Sequence, residues 1–349
     1  LHLLTELEEV RACCNSQERT SMPLAPILIT GGLGFLGSHL ASRFSATGEA
    51  IRILARPERR AEVEDSPHEI VWGDIRDAEA VERAVRGASV VVHTVSNFRK
   101  GGSDEREAHA VNVEGTRNVL EACSKAGVEQ LIHCSTIGVH GNVLEIPADE
   151  ETPFNPLDLY QETKLQAEQE VWKHHRETGL PVTVIRPISM FGPGDRRMLK
   201  LFRMIKTGRF VMVGDGDAFF QPAYIDDVVE GFRLSVRNPK AIGEAFIVGG
   251  EEYVPLRDLV SAVAAELGVS PPRWRLPLRP VLLAADLCER LFVPLKMEPP
   301  LHRRRVSFFQ NNRAFSVRKA KEMLGFRPSM GLRESLRATI GWYREQGWL

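Results

Sequence analysis

Residues 27–40 read I-L-I-T-G-G-L-G-F-L-G-S-H-L, and this stretch decides the fold. Ile27 to Thr30 make a short apolar run of the kind that becomes a buried strand. Glycines follow at 31, 34 and 37, and then Phe35, Leu36, Leu40 and Phe44 recur at helical spacing. A strand that turns straight into a helix on glycines is the shape of a dinucleotide site. Gly31 permits the tight turn, Gly34 lets a pyrophosphate approach the backbone, and Gly37 lets the helix lie close to the strand. The helix then opens at Phe35 and Leu36, offering N–H groups and partial positive charge to phosphates. The spacing is G-x-x-G-x-x-G rather than G-x-G-x-x-G. Three glycines alone can be a plain turn; the strand before them and the helix after them give the pattern its weight.

Outward from this stretch, the chain has 349 residues, room for one large domain or a domain with a smaller lobe. Hydrophobic residues at 43% and charged residues at 26% are ordinary for a globular protein, so disorder is not the default. A formal net charge of −1 gives no field for nucleic acid, which is excluded as a partner. Cys13, Cys14, Cys123, Cys134 and Cys288 make an odd set without metal-ligand spacing. They fit a reduced, cytoplasmic compartment and predict no metal site. No run is long and apolar enough to span a bilayer, and no secretory signal is visible. Residues 1–25 read as a polar N-terminal arm, with Met22 a candidate natural start and E-L-E-E-V-R a short amphipathic helix.

The second strand, near 50–55, ends at Arg56, with Arg59 and Arg60 close behind. An Asp or Glu here would accept hydrogen bonds from the ribose 2′-hydroxyl of NAD. Guanidinium groups suit a 2′-phosphate instead, so NADP is favoured and NAD is the other option. The plain alternative is a solvated basic loop. Further on, Tyr160-Gln161-Glu162-Thr163-Lys164 is Y-x-x-x-K. Positions i and i+4 share a helix face, so the phenol and the ammonium can enter one pocket. A free tyrosine holds its proton near pH 10, and a nearby ammonium favours the phenolate. Tyr160 can then exchange a hydroxyl proton while hydride moves to or from a nicotinamide.

The strings T-G-G-L-G-F-L-G at 30–37, S-T-I-G-V-H-G at 135–141 and Y-Q-E-T-K at 160–164 together resemble the extended branch of the short-chain dehydrogenase/reductase superfamily, the NAD-dependent epimerase/dehydratase family. R-I-L-A-R-P at 52–57 looks like its NADPH-using dihydroflavonol-reductase-like members. The resemblance covers nearly everything from Pro26 onward. It implies an α/β fold: a doubly wound Rossmann parallel sheet over 26–190, and a mixed segment over 191–349 that completes the sheet and forms a substrate lobe. It also implies site roles. Asp74 would accept from the adenine amino group and Ile75 pack on the ring. Thr94, Val95 and Ser96 would line the cofactor, with His93 structural. Asn112 would hold its helix and the active-site water. Thr136 would polarise the substrate carbonyl, with Ser135 in reserve, and Lys164 would bond the ribose. Pro187, Ile188 and Ser189 would flank the nicotinamide. His140 departs from the family's usual Tyr, either altering substrate contacts or filling space.

Asp77 is expected to cap a helix over 78–86, and Asp226 or Asp227 one running to Arg237. Residues 97–107 read as a polar loop near the site. Dehydratases of the family carry Asp-Glu after the active-site Thr, where this chain has Ile137-Gly138. Two polar anchors of nucleotide-sugar epimerases fall on Ile188-Ser189 and Phe220-Gln221-Pro222, although Arg196, Arg197, Lys200 or Arg203 could substitute. The expectation is therefore an NAD(P)-dependent oxidoreductase of the 3β-hydroxysteroid dehydrogenase and dihydroflavonol-reductase-like subgroup, acting on a small-molecule secondary alcohol or ketone. The alternatives are a nucleotide-sugar 4-epimerase and a non-catalytic NAD(P)-binding regulatory protein. A homodimer through helices at 105–126 and 156–178 is implied by resemblance only. Residues 277–305 are apolar, then basic; Arg279, Asp286, Glu289 and Arg290 fit a helix packed on its own lobe, and membrane-surface contact is the lesser reading.

Overall fold

Ile27–Thr30 (β1) is fully buried and pairs in parallel with Ile51–Ala55 (β2) on one side and Val90–His93 (β4) on the other. Glu69–Trp72 (β3) extends the sheet beyond β2. Gln130–Cys134 (β5), Val182–Pro187 (β6) and Glu244–Val248 (β7) extend it beyond β4. The order is β7-β6-β5-β4-β1-β2-β3, all parallel. This computed structural model describes residues 25–349 except 64, 99–104, 293, 294, 296 and 298. The expectations for residues 1–21 and for most of the 97–107 loop fall outside the described residues.

The order in which strands are added reverses between β1 and β4, which is where a doubly wound fold opens its ligand crevice. Both faces are covered, so the strands are apolar throughout rather than alternating. On one face Phe35–Ala46 (α1) and Ile225–Ser235 (α6) bring Leu40, Phe44, Val228 and Phe232 against the sheet. On the other, Ala78–Val85 (α2), the long helix α3 and Leu159–Thr178 (α4) bring Val81, Val119, Leu120 and Val171. Helix α3 runs as Glu105–His109, a π turn at Ala110–Glu114, and Gly115–Ala126. A separate core of Phe202, Leu259, Val263, Leu336 and Tyr343 builds the lobe from Arg196–Lys206 (α5), Leu256–Leu267 (α7) and the C-terminal helix Leu332–Glu345. Late in the chain, β7 and α6 return to the main sheet.

Asp77 caps α2 as expected, accepting from Glu79 N at 3.0 Å and Ala80 N at 3.2 Å. The expectation for α6 is corrected: its N-cap is Tyr224, without a side-chain cap, and Asp226 and Asp227 lie inside the first turn. There they favour the positive end of the helix. Asp227 also accepts from Ser329 N at 2.7 Å and Ser329 Oγ at 2.8 Å, fastening the C-terminal segment. Helix α6 ends at Ser235, before Arg237, whose backbone is left-handed at φ 51°.

The glycine turn is built as read. Gly31 sits at φ +77°, which an L side chain rarely adopts. A Cβ on Gly37 would lie 2.2 Å from the Gly31 carbonyl oxygen, so α1 can approach β1 only with glycine there. Gly37→Ala is therefore expected to lose about 1–3 kcal/mol or more of stability by overpacking against backbone. Thermal unfolding measures this, and a wild-type melting curve would contradict it.

Candidate active site

Helix α4 begins at Asp158, whose carboxylate accepts from Gln161 N at 2.9 Å. The helix carries Tyr160, Lys164 and Glu168 at successive i+4 steps, so three polar groups share one face. The Tyr160 ring is part-exposed, but its hydroxyl is surrounded by protein and within hydrogen-bonding reach of Ser96 and Thr136. Thr136 caps the turn Ile137–His140 by accepting from Gly138 N at 3.1 Å, which leaves its own hydroxyl proton available for donation. Thr136, Ser96 and Tyr160 thus bring three hydroxyls together at the carboxyl end of the sheet.

Burial, and next the neighbouring Cys134 thiol, push the Tyr160 phenol up to about 12. The hydroxyls of Ser96 and Thr136 and the charge of Arg197 pull the other way. Lys164 is buried, and its Nζ donates to the Cys134 carbonyl at 2.7 Å and points at His133 Nε2 3.5 Å away. An ammonium in so dry a place takes the nearest carbonyl, and burial lowers its own pKa.

The sequence-selected residues divide clearly. Ser135 is turned away from the hydroxyl cluster and donates to Glu168 Oε2. Asn112, on the π turn of α3, accepts from Asn97 N at 2.7 Å and donates to Thr163 Oγ1 at 2.9 Å. It therefore joins the 96–97 segment to α4 as a positioning residue. Asp74 is held by Arg76 through Nε and Nη2, each at 2.8 Å. The same guanidinium, with burial opposing it, keeps the Asp74 carboxyl below its ordinary value. Ile75 is buried against Gly115. Thr94 Oγ1 donates to Thr30 O at 2.7 Å, and Val95 packs on the core under β4. Ile188 is buried, and the short strand Ser189–Phe191 pairs with Pro222–Tyr224 just after Pro187 ends β6.

His93 is neutral and structural. Thr116 Oγ1 donates to the Asn112 carbonyl at 2.6 Å, so it accepts from His93 Nε2 at 3.0 Å. His93 Nδ1 then accepts from Thr30 Oγ1 at 2.7 Å. Burial lowers its pKa to about 3. His140 is buried between Phe154 and Phe315 and accepts from Arg186 Nη1 at 3.3 Å. Burial, then Arg186, lower it to about 4, so the imidazole fills space rather than facing a substrate.

Sequence reasoning missed the aromatic wall. Phe98 meets Tyr160 edge-to-face with centroids 4.7 Å apart, and Arg197 lies over both Phe35 and Phe98. Phe98 sits inside a polar string, and only its lone aromatic ring signalled it. Arg197 is aimed by Asp195, which accepts its Nε at 3.0 Å.

The residues present fit a dinucleotide. The N-cap of α1 is Gly34 with no side-chain cap and no acid in the first turn, leaving its N–H groups to an anion. A Cβ on Gly34 would lie 3.2 Å from the Gly31 carbonyl oxygen, a contact closer than the backbone readily takes. Among the described residues, no group of three or more His, Cys, Asp or Glu is placed to hold a metal ion.

Residues 27–249 match the NAD dependent epimerase/dehydratase family, and the chain belongs to it. It is an enzyme of the extended short-chain dehydrogenase/reductase type. It is 31% identical to the sterol-4-alpha-carboxylate 3-dehydrogenase erg26, decarboxylating, of Schizosaccharomyces pombe, over 92% of this chain and 98% of that protein. It is 30% identical to 3beta-hydroxysteroid-dehydrogenase/decarboxylase isoform 1 of Arabidopsis thaliana, over 90% of this chain and 78% of that protein. Among solved structures, gox2253 superposes with a TM-score of 0.80 at 31% identity, covering 93% of this chain and 99% of that one.

The neutral histidines set a pH limit. His93 and His140 fall from an ordinary 6.5 to about 3 and about 4, so the unfolded chain binds more protons below 6.5. Their contribution is complete above that pH and is lost as pH falls toward the folded values. At pH 5 the loss is about 2 kcal/mol for each. Denaturant titrations from pH 7.5 down to 5 measure it, and a flat stability over that range would contradict it.

Proposed function

We propose that this protein oxidises or reduces a secondary alcohol or ketone on a hydrophobic, sterol-like small molecule, with Tyr160 exchanging the proton at the substrate oxygen. The observation that carries this reading is the meeting of the Tyr160, Thr136 and Ser96 hydroxyls at the sheet's carboxyl end, walled by Phe98. When bound, a nicotinamide dinucleotide supplies or accepts the hydride. The Gly31–Gly37 turn and the start of α1 would hold its phosphates, and Lys164 its ribose. A phenol near 12 keeps its proton at neutral pH, which suits it to give that proton to a carbonyl oxygen being reduced. Thr136 donates to the same oxygen and lowers the cost of charge developing on it. The names of the sterol-acting relatives support the substrate class.

The epimerase reading is weaker on this chain's own residues. Gln221 is fully buried, donating to Gly250 O at 2.7 Å and Phe315 O at 3.0 Å, so it is not offered to a diphosphate. Arg196 lies over the Trp348 ring and Arg203 donates to Trp348 O, so two of the substitute cations are engaged with the C-terminus. The non-catalytic reading has to leave the hydroxyl cluster without a use.

For the cofactor, our reading is NADP over NAD. It is supported by the absence of an acid at the end of β2, where Ala55 is followed by Arg56, and by Arg60, whose guanidinium lies 5.2 Å over the Trp72 ring. A reducing, cytoplasmic setting belongs to the same proposal, supported by free thiols at Cys123, Cys134 and Cys288.

Tyr160→Phe is expected to lower kcat on a 3-hydroxysterol or 3-ketosterol by about 10²–10⁴-fold while dinucleotide binding is kept. Undiminished turnover would refute the assignment, and a UDP-sugar epimerised without net cofactor turnover would restore the second reading. Arg56→Ala is expected to weaken NADPH binding by about tenfold, the loss of one charge-assisted contact, and NADH binding far less. Equal losses in fluorescence titrations would remove the preference.

A further inference from the structure

Leu278–Phe292 (α8) is fastened to the lobe along one face only. Leu278, Val281, Leu282 and Ala285 pack with Val213, Val306 and Phe309. That is the helix packed on its own lobe, and its other face is apolar as well. Leu283, Leu287 and Leu291 recur at i, i+4 and i+8 and are 70%, 58% and 56% exposed. Pro280 and Ala284, also exposed, widen the stripe. With about 100° between successive residues, Arg279 and Arg290 fall along one edge of it, both exposed. The helix's acids are drawn aside: Asp286 accepts from Arg303 Nη2 at 2.6 Å, and Glu289 from Arg303 N at 2.8 Å. Close by in the chain, Trp274 and Leu276 before the helix and Leu295 and Met297 after it are exposed as well.

We propose that this face docks on a membrane leaflet containing anionic lipid, with α8 lying in the plane of the interface. A leucine stripe of this width is costly in water and gains by entering the acyl boundary. Arginines on its edge can lay their aliphatic stems along that boundary and raise their guanidinium groups to lipid phosphates. Trp274, exposed a few residues before the helix, is of the type that settles at such a boundary, with a ring half apolar and half wet. No helix among the described residues is long and apolar enough to cross a membrane, so the contact is one of lying on the surface. Charge complementarity selects the occupant: an edge of arginines beside leucines, with the local carboxylates engaged by Arg303, matches an anionic headgroup layer.

The inference stands apart from the substrate reading, because its readout is flotation and not turnover. The full chain is mixed with vesicles of phosphatidylcholine alone, or of phosphatidylcholine with phosphatidylglycerol, and spun through a density gradient. Wild type is expected to float with the mixed vesicles and to be released by salt. Leu283→Glu with Leu287→Glu is expected to lower the bound fraction about tenfold or more while dinucleotide binding is kept. Arg279→Glu with Arg290→Glu is expected to abolish the preference for anionic vesicles, and it tests the proposal even where the leucine variant unfolds. Failure of wild type to float with either vesicle would overturn the proposal, as would unchanged flotation of the leucine variant. A wild-type dimer in sedimentation that the leucine variant dissolves, without vesicle binding, would give the face to a second copy and overturn it as well.

Discussion

The site depends on a buried ion pair beneath it. Arg186, near the end of β6, donates through Nη2 to Glu168 Oε1 at 2.6 Å, and both side chains are almost wholly out of water. Glu168 also accepts from Ser135 and from Trp172 Nε1 at 3.2 Å, while Arg186 reaches the Glu150 carbonyl at 3.0 Å and His140. Burial alone would raise the Glu168 carboxyl, but the Arg186 contact and the hydrogen bonds hold it below its ordinary value. Such a pair adds little net stability over well-packed apolar groups, yet removing one partner strands a buried charge, at a cost of about 3–5 kcal/mol. Glu168 is eight residues beyond Tyr160 on one helix face. Fixing it against β6 and Ser135 therefore fixes where the phenol stands relative to Thr136.

Around this anchor the hydroxyl cluster stands above a dry layer whose imidazoles are neutral. His93, His133 and His140 are buried and depressed in pKa, so no imidazolium competes with Lys164 or Arg186 for position. Asn112 and Thr116 carry the hydrogen bonds of α3 into this layer from one side and Thr30 from the other. The glycine turn and the hydroxyl cluster are joined through Arg197, which spans from Phe35 at the start of α1 to Phe98 beside Tyr160.

The fold was legible because its strands are short, continuous apolar runs punctuated by glycine and by helix caps. Ile27–Thr30 falls where the sequence places it. A boundary slipped where a capping residue had been absorbed into an element: α4 starts after Asp158, not at 156. The Y-x-x-x-K pair was legible as a spacing. The Cys134 carbonyl on β5 that Lys164 Nζ meets was not, because spacing along one helix carries no information about the neighbouring strand. Phe98 and Arg197 were equally hidden, since their roles come from loops brought together by the fold. Which leucines of α8 face outward was not legible either, because periodicity reports that an apolar face exists, not what lies opposite it.

The π turn at Ala110–Glu114 has a consequence for how this helix could change over generations. A widened turn holds one residue more than an ordinary helix needs, and an extra residue rotates everything before it by about 100° relative to everything after. Glu105–His109, which receives the chain from the Phe98 loop, is therefore out of phase with Gly115–Ala126, which packs on the sheet. Asn112 lies at the joint between the two phases. The surplus acts as a clutch: insertions or deletions upstream can be taken up there while the downstream turns keep their grip on the sheet, so the sequence before the joint is free to diverge in length without dislodging the scaffold below.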